Sequence, residues 1–435
     1  MSDEIRTLRR ARAAAPSSQD SPARPAPGAR TVWATRLVVA GIVLAALNLR
    51  PAVTSLGALL EEARVDLHMS GAVTGLLTSV PALCFAVFGT TAPRLARRFG
   101  PAAVVCAGMA AITAGLVIRP FAGGSAAFLA ATALALVGIA VSNVLMPVIV
   151  KDYFPDRVGP MTGVYSMALA AGTSLAAAAT VPMTSALGGS WRAGLGVWAV
   201  LAAAAVLPWL ALLRDRSGSG SGSRSVPGGP AARAADTPAP PITRSPTAWA
   251  LACFFGLQAT GAYITMGWMP QIFRDAGVSA STAGVLLAVT MAMGIPLAFV
   301  IPRLAARMRN QGPIVVALGL CGMTGYLGLF LAPAAGAWAW ALLLGVSNCA
   351  FPLALTMIGM RSRTGAGVVR LSAFAQSAGY LISIPGPLLV GVLYQHSGGW
   401  TVPLLLMAGL LVPQMVAGVF AGRDRTIEDG GRVRD

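Results

Sequence analysis

Long apolar runs, separated by short breaks that often carry arginine, occupy nearly the whole chain. The runs lie near residues 33–60, 71–92, 102–120, 125–150, 160–187 and 193–213, and again near 247–271, 282–302, 313–332, 336–360, 367–395 and 400–421. A helix needs roughly 20 apolar residues to cross the hydrocarbon of a bilayer. Each run therefore reads as one spanning helix, and the set predicts an all-α membrane protein with twelve transmembrane helices.

The polar gaps divide this series in two. Residues 1–30 are Arg, Ala, Ser and Pro, too polar to fold alone, and are read as a disordered cytoplasmic tail. The apolar run that follows is too long for a signal peptide and reads as a retained first helix. Residues 214–246 contain SGSGSGSRSVPGGP and TPAPP, the composition of a flexible linker. Residues 31–213 and 247–422 are then two halves of six helices each, with a short cytoplasmic tail at 423–435.

The halves repeat one another. PRLARR at Pro93–Arg98 returns as PRLAAR at Pro302–Arg307, and VSN with a proline four residues after the Asn occurs at Val141–Pro147 and Val346–Pro352. GGSW ending at Trp191 matches SGGW ending at Trp400. Three matches in the same order indicate duplicated halves, pseudo-symmetric six-helix units joined by a long loop, which is the major facilitator fold.

Composition narrows the function. The chain is 56% hydrophobic and 11% charged, with a mean hydropathy of +0.71. That is too little charge to cover the surface of a soluble protein of this size. The formal charge of +17 could suggest nucleic acid, but all except five of the 32 Lys and Arg fall in the two tails and alternate loops. Only Arg64, Arg119, Arg192 and Arg274 lie on the other side, and Arg50 lies inside a helix. This is the positive-inside pattern; it places both termini in the cytoplasm of an inner-membrane protein and removes the case for nucleic acid. The five cysteines sit in apolar runs with no CxxC pair or neighbouring His, so neither disulfide, metal nor cofactor is expected. With no HExxH or comparable cluster in the spans, an enzyme or a membrane-embedded sensor is a remote alternative.

Arg50 is the most informative residue. It lies near the middle of the first run, where a charge costs at least ~2.5 kcal/mol and tends to face a polar cavity or a partner. All fifteen Asp and Glu fall in tails or loops, so no intramembrane carboxylate is available to neutralise it. One reading is that an anionic or strongly polar solute supplies the partner; the other is a structural clamp, or snorkelling to the surface. Pro51 leaves the carbonyl of Leu47 without its helical donor and predicts a bend. In the repeated element, Pro147 and Pro352 likewise free the carbonyls of Asn143 and Asn348, so two matching polar patches arise in spans four and ten. These are candidate binding positions or plain helix–helix hydrogen bonds. In span eleven, Ser372, Gln376, Tyr380 and Ser383 form one polar stripe at helical spacing. In span seven, Gln258 and Thr265 share a face while Tyr263 lies well round the helix, so Gln258 and Tyr263 are not expected to face one cavity without local distortion. The loop arginines Arg94, Arg97, Arg98, Arg303, Arg307 and Arg309 read as orienting charges and headgroup contacts.

NLRPAVTSLGALL at Asn48–Leu60 resembles the first-helix signature of the cyanate permease and nitroimidazole transporter family of the major facilitators. MPVIVKDYFPDRVGPMTGVYSMALAAG (Met146–Gly172), GLQATGAYITMGWMPQIF (Gly256–Phe273) and FAQSAGYLISIPGPLLVG (Phe374–Gly391) are similar to the same family. The resemblance covers all twelve spans. It implies a proton-linked or facilitated carrier for small organic or inorganic solutes, with members that differ in substrate. Taken with Arg50, the chain reads as a transporter, not an enzyme, that moves a small polar solute, anionic or nitroimidazole- or cyanate-like, by alternating access in the lipid bilayer, and nothing in the sequence demands more than a monomer. The resemblance would carry a polar role onto Asn48, Arg50, Gln258, Tyr263, Gln376 and Tyr380. Asn48, about 200° round the helix from Arg50, is expected to hold a neighbouring helix instead. The loop after span two departs from the superfamily pattern, with Arg97 where an Asp is usual. Span four lacks the intramembrane Arg of drug–proton antiporters, although a drug or metabolite exporter of the same fold, with Arg50 structural, remains the alternative.

Overall fold

A computed structural model describes residues 29–154, 157–218 and 242–429. Among these residues, twelve helices are long and apolar enough to cross a membrane: Thr35–Ala58, Gly71–Gly89, Pro101–Phe121, Ser125–Tyr153, Pro160–Ala186 and Trp191–Arg214 in the first half, then Pro246–Asp275, Ala280–Arg307, Gly312–Leu331, Ala337–Met360, Gly367–Ser397 and Thr401–Ala421. They are numbered here as spans 1–12. The face where the described chain enters span 1 and leaves span 12 is the near face; the opposite one is the far face.

Proline decides where the spans break, though not by sequence alone. Span 1 stops at Asn48 and restarts at Pro51, with Arg50 (φ −128°, ψ −28°) at the junction. Span 10 breaks at Cys349, between helices Ala337–Asn348 and Ala350–Met360, three residues before Pro352. Its repeat partner behaves differently: the helix Ser125–Tyr153 runs unbroken through Pro147. The expected symmetry of the two VSN elements therefore fails in helix continuity. Span 4 packs closely against span 3. There, a Cβ added at Gly138 would fall 2.3 Å from the carbonyl oxygen of Gly108. Small residues that let helix backbones touch are the means by which helices associate in lipid, where no hydrophobic effect drives them together.

The other repeats hold their places. Pro93 and Pro302 both lie inside helices at the near-face ends of spans 2 and 8. Trp191 begins the helix that opens span 6, and Trp400 is the N-cap of span 12. Asn48 donates to the carbonyls of Leu44 (2.7 Å) and Leu201 (3.1 Å), fastening span 1 to span 6 as its position round the helix predicts.

Residues 1–28, 219–241 and 430–435, which include most of the expected disordered tail and linker, lie outside the described residues. The rest of the carboxy-terminal tail folds back on the loop between spans 10 and 11. Ile427 N–H donates to Arg361 O (2.9 Å), Ser362 Oγ to Glu428 Oε1 (2.6 Å), and Arg363 pairs with Asp429 (2.6 Å). Arg361, read from sequence as an ordinary loop charge, is buried beneath this cap. It donates to Ala421 O (2.9 Å), Gly422 O (2.8 Å) and Gln311 Oε1, and desolvation pulls its guanidinium below the ordinary arginine range.

Candidate binding site

The break in span 1 lifts Arg50 out of regular helix, and it lines a cavity together with two phenols, Tyr263 and Tyr380. Tyr165 of span 5 is a third phenol within its electrostatic reach. None of the ion pairs among the described residues includes Arg50. The chain has six tyrosines in all, so half of them act on one cation from three different spans.

Two of these phenols are themselves held. Tyr165 donates to Asn143 Oδ1 at 2.5 Å. Tyr380 stacks on Phe85 (centroids 4.9 Å apart, planes at 20°) and receives the edge of Phe255 at 5.2 Å and 90°. Such ring pairs contribute about 0.5–1.5 kcal/mol beyond burial and fix ring orientation.

A cavity of about 370 Å³ opens between the halves around these groups. Arg50, Ser166, Leu169 and Thr173 line it from the first half; Gln258, Tyr263, Met266, Thr290, Asn348, Phe351, Thr356 and Tyr380 line it from the second. The cavity extends from Arg50 toward the near face, where Pro302, Leu355 and Thr356 border it. Gln258 Nε2 faces Asn348 O and Oδ1, at 3.4 Å each, which ties the polar wall of span 7 to the break in span 10.

Five of the residues proposed from sequence (Arg50, Gln258, Tyr263, Asn348 and Tyr380) thus share one cavity. The expectation that Gln258 and Tyr263 could not do so undistorted is overturned. Span 7 is an unbroken helix, and the cavity wraps an arc of about 140° of it. Ala259, Ala262 and Met266 floor that arc, with Gln258 and Tyr263 at its two rims. Asn143 is not part of the lining, and neither is Tyr165, the phenol that donates to it. Gln376 is not in the lining either: its Nε2 donates to Ser372 Oγ at 2.7 Å, one turn back. Thr173, Thr290 and Phe351, which do line it, were missed, as was Tyr165. Only Tyr165 carried a usable sign, being a rare polar aromatic near the start of an Ala- and Gly-rich span.

On the far side of Arg50 the halves are shut. A Cβ at Gly57 would sit 2.0 Å from Met266 O, and one at Gly391 would sit 2.4 Å from Gly71 O. Trp268 Nε1 donates to Thr78 Oγ1 (3.2 Å), and Gly71 N–H donates to Gln395 Oε1 (2.7 Å). An ion pair, Arg274–Glu62 at 3.0 Å, crosses the seam at the far surface. The structure is therefore closed on the far face, with its cavity extending toward the near one.

Residues 38–364 match the Major Facilitator Superfamily. The chain belongs to that superfamily. Major facilitators similar to it over most of their length include an uncharacterised transporter, YycB, of Bacillus subtilis (strain 168), 34% identical across 92% of this chain and 96% of that one. The 2-nitroimidazole transporter of Escherichia coli (strain K12) is 34% identical across 90% of this chain and 96% of its own. The cyanate transport protein CynX of the same organism is 29% identical across 85% and 94%. Among solved structures, a bacterial homolog of the human lysosomal transporter Spinster, inward-facing and occupied, superposes with a TM-score of 0.68 at 17% identity, covering 90% of this chain and 96% of that one. The chain is thus a multi-pass major facilitator transporter, not an enzyme, similar over most of its length to relatives named for 2-nitroimidazole and for cyanate.

Proposed function

We propose that this major facilitator carries a small planar solute bearing a carboxylate, or a nitro group of similar shape, across the inner membrane by alternating access. Arg50 is its recognition residue, and both termini lie in the cytoplasm. One observation carries the reading: Arg50 lines the cavity between the halves beside Tyr263 and Tyr380, and no ion pair among the described residues includes it. A guanidinium presents paired N–H donors in a flat fork that matches two coplanar oxygens. Carboxylate and nitro groups share that shape, which links an anion-binding site to a relative named for 2-nitroimidazole.

The remaining lining suits a ring. Phe351, Met266, Met291 and Leu169 offer apolar walls, and Thr173, Thr290, Gln258 and Asn348 offer hydrogen bonds at the rim. The volume, about 370 Å³, lies within the range of small-ligand pockets and exceeds what a three-atom anion fills. The tight far-face seam and the near-face cavity support one end state of alternating access. Arg94, Arg97, Arg98, Arg303, Arg307 and Arg309 gather at the near face, which supports its placement in the cytoplasm.

The test is ligand-induced thermal stabilisation of the purified carrier by benzoate, cyanate and 2-nitroimidazole, run on wild type and on Arg50→Gln. A ligand that binds only the native state must raise its apparent stability. The expected result is stabilisation of wild type by benzoate and 2-nitroimidazole, lost in Arg50→Gln. Equal stabilisation of both proteins would make Arg50 a structural clamp and favour an exporter with an apolar cavity.

A further inference from the structure

A second guanidinium lies buried in the first half. Arg119, at the far end of span 3, belongs by sequence to the group of charges on the opposite side of the membrane, where a long side chain ordinarily turns its head into water. It turns inward instead and is 0% exposed. Its Nη1 donates to Ala52 O at 3.0 Å, and its Cζ lies 5.8 Å from the centroid of the Phe128 ring. Nε and Nη2 have no hydrogen-bond partner among the described residues, and none of the ion pairs found there includes Arg119.

Burial without a counter-charge is costly, and well-packed apolar residues usually serve stability better. Ionisable groups kept inside a membrane bundle under those terms mark function. The location of Arg119 suggests which function. Ala52 follows Arg50 by two residues in the helix that restarts at Pro51. Beside Ala52 is a void of about 10 Å³, also lined by Thr132 and by Tyr263, the phenol that shares the main cavity with Arg50. The Thr132 hydroxyl has no partner either, and it lies one turn along span 4 from Phe128. The two uncompensated guanidiniums thus flank one short piece of backbone, Arg50 toward the cavity and Arg119 behind it.

We infer that Arg119 is a selectivity and positioning residue for anions: its charge adds to the positive potential at the cavity, and its bond to Ala52 braces the segment that aims Arg50. The inference rests on the reading of Arg50 as the recognition residue. In an interior of intermediate dielectric, a unit charge on the order of 10 Å from an anion alters its affinity by about tenfold. A solute without net charge gains nothing from it.

The experiment measures binding of benzoate and of N1-methylated 2-nitroimidazole, which cannot ionise, to the purified full-length carrier. The proteins are wild type, Arg119→Lys, Arg119→Gln and Arg119→Met, with Arg50→Gln alongside. Arg119→Met fills the same volume without charge and serves if Arg119→Gln does not fold. The expected result is about a tenfold loss of benzoate affinity in the uncharged Arg119 variants, near-wild-type benzoate affinity in Arg119→Lys, and a clearly smaller loss for the neutral probe in the same Arg119 variants. Equal weakening of both probes, or a Lys variant as impaired as the Met variant, would make Arg119 a clamp only and overturn the inference. Unchanged benzoate binding in the Met variant would overturn it as well. Benzoate binding that survives Arg50→Gln, or is absent from wild type, would instead overturn the underlying reading of Arg50.

Discussion

The carbonyl of Leu47, which Pro51 deprives of its helical donor, faces Gly172 of span 5 so closely that a Cβ at 172 would fall 2.2 Å from its oxygen. The bend that brings Arg50 to the cavity is therefore held by a neighbour with no side chain. Gly172→Ala forces the two backbones apart, a form of overpacking that costs about 1–3 kcal/mol. The expected outcome is a thermal midpoint several degrees lower, with weaker benzoate stabilisation. An unchanged midpoint would mean that span 5 gives way freely.

The Glu62–Arg274 pair joins the halves at the far surface, where both side chains are partly solvated. Pairs of this type contribute about 0–1 kcal/mol. Glu62→Gln is expected to raise the population open on the far face by up to about fivefold. Labelling of a cysteine placed at Val53, which lines the small void behind the seam, measures that population, and equal labelling rates with and without the ion pair would remove it from the gate.

Tyr263→Glu places a carboxylate on the cavity wall that Arg50 also lines. It is expected to satisfy Arg50 internally and lower benzoate affinity at least about tenfold, read by titration of the purified variant. In proteoliposomes, the wild-type carrier must return without a counter-charge for Arg50, at a cost of several kcal/mol. Exchange of labelled for internal benzoate should therefore outpace net movement at least about tenfold, and Tyr263→Glu should narrow the gap. Equal rates in wild type would show that Arg50 does not contribute to the return barrier.

The carboxy-terminal cap responds to acid with a defined sign. Partial burial works to raise the Glu428 carboxyl, but hydrogen bonds from Ser362, Thr426 and the Arg363 amide outweigh it and hold it below its ordinary range. A carboxyl depressed on folding stabilises the folded form above its unfolded pKa and loses that effect as pH falls through the folded one. Amide exchange over residues 423–429 is expected to accelerate as pH drops below about 4, after correction for intrinsic rates, and Glu428→Gln should flatten the response. A wild-type tail equally protected across that range would remove Glu428 as its anchor.

How much of the site was legible varied with the kind of signal. Arg50 was visible because a charge within an apolar run is rare and costly, whatever surrounds it. Asn48 could be assigned to a neighbouring helix from its angle round span 1, and its bond to Leu201 agrees. Gln376 illustrates the limit: its place in a polar stripe was correct, yet Ser372 one turn back takes its amide. Tyr165 and Arg119 were passed over because their meaning depends on spans distant in sequence.

The sequence by itself determined the twelve spans, the duplicated halves and the uncompensated charge in span 1. These follow from hydrophobic length, repeated motifs and a count of acids, all properties of the chain read in one dimension. Tertiary structure alone decided that Pro147 leaves its helix unbroken while span 10 breaks near Pro352, that Gln258 and Tyr263 share one cavity, and that Arg119 turns inward. Each of these outcomes depends on what a neighbouring helix presents at the point of contact: a glycine, an alanine floor or a carbonyl oxygen. Helix packing in lipid is set by such local fit between surfaces, and a pattern of apolar residues does not encode which surfaces meet.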